Sequence, residues 1–300
     1  MRLAGVPIAL LGGDAREAEL ARALVAEGAR LQMAGYPDRP EWQQGQVARV
    51  ESVEAALSGA AAVIAPMTGV DEGGFIRAVP DGRTRLRLSE SCLRQLPAGT
   101  PFLIGTARPP LRDWVVRAAL RLIELAELDE IAILNSIPTA EGAIYLAMGE
   151  LPITLWQARA VVVGFGRTGV TLARKLRALD AITTVVARNR AERARAREMG
   201  LIARPFEELA EAAADCHVLF NTVPAFVITS DVLGRMTPGT LVIDIASAPG
   251  GTDFTAAQKL GIPAILALGL PGKVAPKTAG RILAETVPGL LAELLSTAGR

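Results

Sequence analysis

Six consecutive residues, Gly164-Phe165-Gly166-Arg167-Thr168-Gly169, have the types and spacing to hold a charged cofactor. A dinucleotide's pyrophosphate needs backbone N–H groups within hydrogen-bonding range, no Cβ in the way, and a helix N-terminus aimed at it. Gly164 suits the tight turn, Gly166 the close approach and Gly169 the packing of helix on strand. A bare G-x-G-x-x-G arises by chance in many loops, so the context decides. Val161-Val162-Val163 supply an apolar strand directly before it, and Val170, Leu172, Leu176 and Leu179 mark one face of a helix after it.

The same unit bears on the choice of dinucleotide. NAD sites place an Asp or Glu about 20 residues past the glycines, at the end of the second strand, where it holds the ribose 2′-hydroxyl. Here the second strand, Thr183 to Val186, runs into Ala187-Arg188-Asn189-Arg190, with no acid. Two guanidinium groups at that corner suit a 2′-phosphate. The same arginines would also serve as a solvated helix start continuing into Arg193, Arg195 and Arg197. The missing acid tips the reading toward NADP, with Arg188, Asn189 and Arg190 at its adenosine end.

The elements that must position these groups follow in order. His217 to Phe220, Leu241 to Ile245 (with Asp244 inside it) and Ala264 to Leu268 read as further strands. Each ends in small polar residues, Gly or Pro, so Thr222, Val223, Pro224, Ala246 and Gly269 are expected beside the nicotinamide. A final helix from about Lys277 to Leu295, kinked at Pro288, is expected to return to the first domain.

The first half has its own α/β rhythm. Val6 to Leu11 ends at Gly12-Gly13-Asp14, and a helix from Arg16 to Glu27 follows, with Leu20, Ala21 and Leu24 on one face. It lacks the third glycine and so reads as a second doubly wound sheet rather than a second nucleotide site. Strands are expected at Ala62–Ala65, Phe102–Gly105 and Ile131–Leu134, with a long helix from Leu111 to Ala126, and Asp71 to Arg87 reads as an exposed loop or hairpin. Asn135-Ser136-Ile137-Pro138-Thr139-Ala140-Glu141-Gly142-Ala143 then falls between a strand and a helix from Ala140 to Glu150, with Thr139 as N-cap. Polar groups there would face a ligand or would simply cap and turn the chain, Glu141 suiting a first helical turn in either case.

The fold class expected is α/β: two doubly wound, Rossmann-like parallel-sheet domains with an interdomain cleft. Residues 1–136 would form the substrate domain, 137–275 the NAD(P)-binding domain, and 276–300 a helix packing back on the first. Three hundred residues are enough for two cores. Half the residues are hydrophobic and the mean hydropathy is +0.32, yet charge-free runs such as Cys216–Ser230 and Leu260–Gly272 are too short to span a bilayer. No basic-then-apolar signal opens the chain, so a cytoplasmic protein is expected. A net charge of +1 gives no argument for nucleic acid or an anionic membrane as partner, and neither is expected. Cys92 and Cys216, the only cysteines, lack metal-ligand spacing and read as apolar fillers, so no metal is expected.

Four motifs in this order, Asn135 to Ala143, Gly164 to Gly169, Asn221-Thr222-Val223-Pro224, and Gly269-Leu270-Pro271-Gly272-Lys273-Val274-Ala275-Pro276-Lys277-Thr278-Ala279-Gly280, resemble those of the dipicolinate synthase A subunits of spore-forming bacteria. The first 125 residues are similar mainly in layout. The resemblance implies an NAD(P)-dependent dehydrogenase that, working with a flavoprotein-like second subunit, oxidises dihydrodipicolinate to pyridine-2,6-dicarboxylate. Two carboxylates on a small ring call for a cation and neutral donors, which makes Asn135, Ser136, Thr139 and Lys273 the substrate candidates. Glu141 is the candidate general base, if a closed cleft raises its pKa. His217, the one histidine, stands at the start of a strand, away from the edge where ligands gather, and reads as structural. Two alternatives stay open. One is another two-domain NADP-dependent dehydrogenase of shikimate or methylene-folate type, although residues 1–174 hold no lysine for the Lys-Asp pair of the shikimate type. The other is a regulatory subunit that binds the cofactor without catalysis. Homo-oligomerisation is also open, since core and interface leucines look alike in a sequence.

Overall fold

The computed structural model describes residues 1–38, 40, 45–77 and 79–298, which form two compact units, Met1–Ala132 with Ala275–Arg300, and Ile133–Val274. The first unit contains β1 (Pro7–Leu11), α1 (Ala15–Ala26), β2 (Arg30–Ala34), β3 (Val47–Val50), α2 (Val53–Leu57) and β4 (Ala62–Ile64). It continues through α3 (Glu90–Leu93), β5 (Pro101–Ile104), α4 (Leu111–Arg117) and β6 (Arg121–Glu124) into α5 (Asp129–Glu150), which runs on into the second unit. Its sheet is wholly parallel, in the order β3-β2-β1-β4-β5-β6. Ile8 to Leu11 are fully buried, the continuous apolar run expected of a strand covered on both faces.

The second unit repeats this topology. Its elements are β7 (Arg159–Val163), α6 (Arg167–Ala178), β8 (Ile182–Val186), α7 (Arg190–Glu198), β9 (Ile202–Arg204), α8 (Leu209–Ala214), β10 (Val218–Asn221) and α9 (Ser230–Leu233). After them come β11 (Leu241–Asp244), α10 (Phe254–Leu260), β12 (Ala264–Leu266) and α11 (Leu270–Val274). The parallel order is β12-β11-β10-β7-β8-β9. In each unit the first strand lies mid-sheet and the order reverses beside it, at β1/β4 and β7/β10, which makes both units Rossmann-like.

Three local expectations give way. The helix expected over 111–126 stops at Arg117, Ala119 takes a left-handed φ of 54°, and residues 121–124 pair with β5 as an edge strand. Leu120, Leu122 and Ile123 fit a helical period as well as a short strand, and pairing with β5 decides between them. That pairing fills the edge position, and Ile131–Leu134, expected as a strand, instead lies in the first turns of α5 behind Asp129 and Glu130. Carboxylates at that end favour a helix start. The stretch after Gly269, expected as a Gly- and Pro-containing strand end, coils into α11. Asp71 to Arg87 has the expected hairpin character, with antiparallel bridges Val70–Ile76 and Phe75–Arg87; Ala78 lies outside the described residues.

Among the described residues α5 is the one helix long and apolar enough to cross a membrane. Ala140, Ala143 and Ala147 on its inner face are fully buried in the core under β7 and β10. Both cysteines are free and buried, and burial pushes the Cys216 thiol up to about 12.

The last helix, α12 (Pro276–Ala298), includes Pro288 and packs against α1 in the first unit. Gly280 makes that approach: a Cβ there would stand 2.7 Å from Glu19 Cβ and 3.0 Å from the Arg16 carbonyl oxygen. Gly280→Val is therefore expected to destabilise the protein by about 1–3 kcal/mol through overpacking. Gly289→Ala on the same helix, whose Cβ would meet only the flexible Arg2 guanidinium, should leave Tm unchanged or higher. Scanning calorimetry of both variants checks this, and equal Tm values would refute it.

Candidate functional site

Both units present a strand, a glycine turn and a helix at their switch points, and the two turns treat the helix end in opposite ways. In the first unit Asp14 caps α1, accepting from Arg16 N at 2.9 Å, while Glu17 accepts from Asp14 N at 2.7 Å in a complete capping box. Glu17 also accepts from Met67 N at 2.8 Å, is 1% exposed, and has its pKa raised by burial. A Cβ at Gly13 would fall 2.6 Å from that side chain. The anion position at this helix end is thus filled by the chain's own carboxylates.

In the second unit α6 begins behind Gly166 with no side-chain cap and no acid in its first turn. Its orphan N–H donors and the positive end of its dipole are left for a ligand. Gly164 has a left-handed φ of 91°, and a Cβ there would meet Thr222 Oγ1 at 2.5 Å. A Cβ on Gly169 would lie 2.3 Å from the Gly164 carbonyl oxygen. At Gly166 the space in front is open. Phe165 turns inward to the core, and Arg167 and Thr168 open the helix.

At the end of β8, Arg188, Asn189 and Arg190 are exposed. Asn189 is the N-cap of α7, accepting from Ala191 N at 2.8 Å, so its side chain shapes the corner. Arg188 lies over the Phe206 ring, 5.4 Å from its centroid, and Arg193 donates to the Ala187 and Arg188 carbonyls. Residues 187–190, all of them described, bring no carboxylate to this strand end.

The ends of β10 and β11 form one frame. Thr222 Oγ1 donates to Val163 O at 2.8 Å, and buried Asn221 closes its turn through Val223 N and Val223 O. Asp244, in register with Asn221, is fully buried and accepts from Ala246 N, Gly251 N and Thr252 Oγ1 at 3.1, 2.7 and 2.7 Å. Gly251 has room for no side chain, since a Cβ would stand 2.3 Å from Ala225 O. Thr222, Val223, Pro224 and Ala246 therefore sit on a rim fixed by Asn221 and Asp244. Sequence reasoning gives neither of those two a role in the site, although a polar residue closing an otherwise apolar strand is the signal that marks both. Gly269, with a left-handed φ of 68°, carries the chain from β12 into α11.

The motif from Asn135 to Ala143 proves to be helical throughout, within α5. Thr139 is no N-cap; its hydroxyl donates to Asn135 O within the helix. Ser136 is 1% exposed and bonds Thr171 of α6 at 2.7 Å, while also donating to Ile133 O. Both hydroxyls donate to carbonyls of their own helix. Gly142 packs on Leu270 and Val274 of α11, 3.1 Å from a would-be Cβ. Glu141 is exposed rather than enclosed and pairs with Lys175 at 2.8 Å. Asn135 is half-buried and Lys273, on α11, is exposed. His217 stands at the amino end of β10, its Nδ1 accepting from Arg159 N at 2.9 Å, in the structural role expected.

Comparison with known proteins agrees with this layout. Residues 7–126 match the N-terminal domain of the dipicolinate synthase A subunit; residues 134–296 match the alanine dehydrogenase/PNT C-terminal domain. The A subunit of Bacillus subtilis dipicolinate synthase is 39% identical over 265 residues, covering 88% of this chain and 89% of that protein. The crystal structure of the corresponding Bacillus halodurans protein superposes with a TM-score of 0.92 at 38% identity, over 97% of this chain and 99% of that one. Transhydrogenase from Sinorhizobium meliloti shares the fold at a TM-score of 0.68 and 15% identity, over 96% of this chain and 94% of its own. The chain belongs to the family of dipicolinate synthase A subunits, on an alanine dehydrogenase/PNT-like pair of Rossmann domains.

Proposed function

We propose that this chain is the dehydrogenase subunit of a dipicolinate synthase, transferring hydride from dihydrodipicolinate to NADP in the cytoplasm of a sporulating cell. The observation that carries the reading is the uncapped start of α6 behind Gly164, Gly166 and Gly169, beside a second strand that ends in arginines instead of an acid. When bound, the oxidised coenzyme supplies the hydride acceptor. The amides from Gly166 to Gly169 would hold its diphosphate, and Arg188 and Arg190 its 2′-phosphate. Thr222, Val223, Pro224, Ala246 and Gly269 would border the nicotinamide.

Aromatisation of the ring releases one hydride and one proton, so orientation is the protein's main task. Of the substrate candidates, Asn135 and Lys273 have side chains without a partner among the described residues and would take the ring carboxylates. Ser136 acts through the scaffold that holds α5 to α6, and the Thr139 hydroxyl is engaged within α5. With Glu141 exposed and paired to Lys175, solvent is the simpler proton acceptor. The relatives' designation as A subunits supports a second, different polypeptide as partner, which we read as flavoprotein-like.

The decisive assay mixes purified chain, NADP and dihydrodipicolinate, with and without the candidate flavoprotein-like partner. Absorbance at the reduced-nicotinamide band should grow, and none in either mixture would remove the catalytic reading.

Gly166→Asp places an N-capping carboxylate where the diphosphate should lie, in open space and at an ordinary φ of −80°. Stability is expected to hold or rise by about 0.5–1 kcal/mol of capping, while heat of binding to both NADP and NAD disappears in calorimetry. Arg188→Ala/Arg190→Ala should weaken NADP about tenfold or more, each lost charge-assisted bond contributing about 1.5–3 kcal/mol, and leave NAD within about twofold. Equal losses for the two coenzymes would place the arginines elsewhere.

A further inference from the structure

We propose that the first unit carries a binding site of its own for a small multivalent oxyanion, formed by Arg77, Arg83, Arg85 and Lys277 around a cavity at the ends of β1 and β2. The cavity measures about 780 Å³, and the described residues that line it all belong to the first unit. That volume is within the usual range for small-molecule sites, roughly 300–1,000 Å³.

The cavity has a built floor and a built roof. At its floor Tyr36, 4% exposed, donates its hydroxyl to Gly12 O at 2.6 Å and ties the end of β2 to the glycine turn after β1. Its roof is the hairpin around residues 75–87, which can lie on the end of β2 only because position 35 is glycine. A Cβ there would stand 2.5 Å from Val79 and 2.9 Å from Leu86. Asp81 N donates to Gly35 O at 3.1 Å, and the Asp81 carboxylate accepts from Arg83 N, Thr84 N and Thr84 Oγ1, fixing the turn that presents the arginines. Arg85 lies over the Phe75 ring, 4.5 Å from its centroid. Lys277 is contributed by the first turn of α12.

The charge balance selects an anion. Among the described residues five basic side chains line the cavity against two carboxylates, and both carboxylates are engaged, Asp14 by Arg16 and Glu19 by Arg22. Arg77 and Lys277 have no acidic partner among the described residues, and Arg83 is near only the Asp81 carboxylate of its own turn, which Thr84 also engages. Like charges gathered around a concave wall repel one another and focus potential into it, and an anion relieves both effects. The start of α1 is already answered by Asp14 and Glu17, so the side-chain cations supply the recognition. They come from two elements, and each guanidinium can take two oxygens, so an anion with at least two acidic groups engages them where a single carboxylate would not. Paired carboxylates and phosphoryl groups both meet that description.

Calorimetry on the full chain at low salt tests the site with pyridine-2,6-dicarboxylate, citrate and pyrophosphate, and with acetate as the monovalent control. At least one multivalent anion should bind and acetate should not, and the share of that binding lost in the variants below belongs to this site; the preferred ligand identifies carboxylate or phosphoryl as the source. In Arg77→Ala/Arg83→Ala that affinity should fall at least tenfold and in Lys277→Gln about threefold or more, at unchanged Tm. NADP affinity should stay as in the parent, which separates this site from the coenzyme turn. If none of the three multivalent anions binds, or if the double variant binds them as the parent does, the proposal is overturned.

Discussion

The helix that follows β7 sits so close to the strand end that position 169 has no space for a Cβ against the Gly164 carbonyl. Much of the second unit's rim depends on that closeness. With α6 seated there, Gly164 can turn under Thr222, and the Thr222 hydroxyl reaches the last carbonyl of β7. The end of β10 is then locked to the end of β7, and Gly251 presses the following loop against Ala225 in the same manner. Asp244 gathers three donors from that loop, so its backbone polar groups are satisfied although they are buried. A rim made this way is held by main chain and by two buried side chains, leaving its outer positions free to meet a ligand.

The molecule uses one topology twice and separates the two copies by electrostatics. At α1 the helix dipole is answered from within, by Asp14 and Glu17, and Arg16 balances the carboxylates at the cost of burying two charged groups, Arg16 and Glu17, beside half-buried Asp14. Such a cluster is tolerable because every member is hydrogen-bonded. At α6 the dipole is unanswered and glycine stands in the capping position. A helix end without a cap is a small loss of stability, about 1 kcal/mol, that a bound anion would return. Fold alone therefore does not say which turn is the nucleotide site; the residue at the N-cap does.

Much of this is legible in the sequence, and the parts that are not have physical reasons. The strand-turn-helix unit around Gly164 to Gly169 is legible because glycine spacing, an apolar strand and a one-faced helix agree. The strands at β1, β4, β5, β10 and β11 are legible as short apolar runs ending in turn residues. Residues 111–134 mislead, since Leu120 to Ile123 and Ile131 to Leu134 are too short for periodicity to separate strand from helix, and the choice rests on which segment pairs with β5. The four-residue strand β3, with Ala48 and Arg49 exposed, has little apolar pattern to read.

The segment from Asn135 to Ala143 shows how chemistry-bearing residue types can mislead. Asn, Ser, Thr and Glu beside a proline look like a loop at a strand end, yet here they ride on one long helix whose polar groups bond to its neighbour. Ser136 and Glu141 meet Thr171 and Lys175, positions four apart and so on one face of α6. Gly142 meanwhile lets α11 approach from another side. Polar contacts fix the register of two packed helices better than apolar ones, because a slip along the axis would leave a buried hydroxyl unpaired. The helix they fix is the one that begins uncapped behind Gly166. A motif whose residue types suggest a ligand site thus also helps decide where α6 starts.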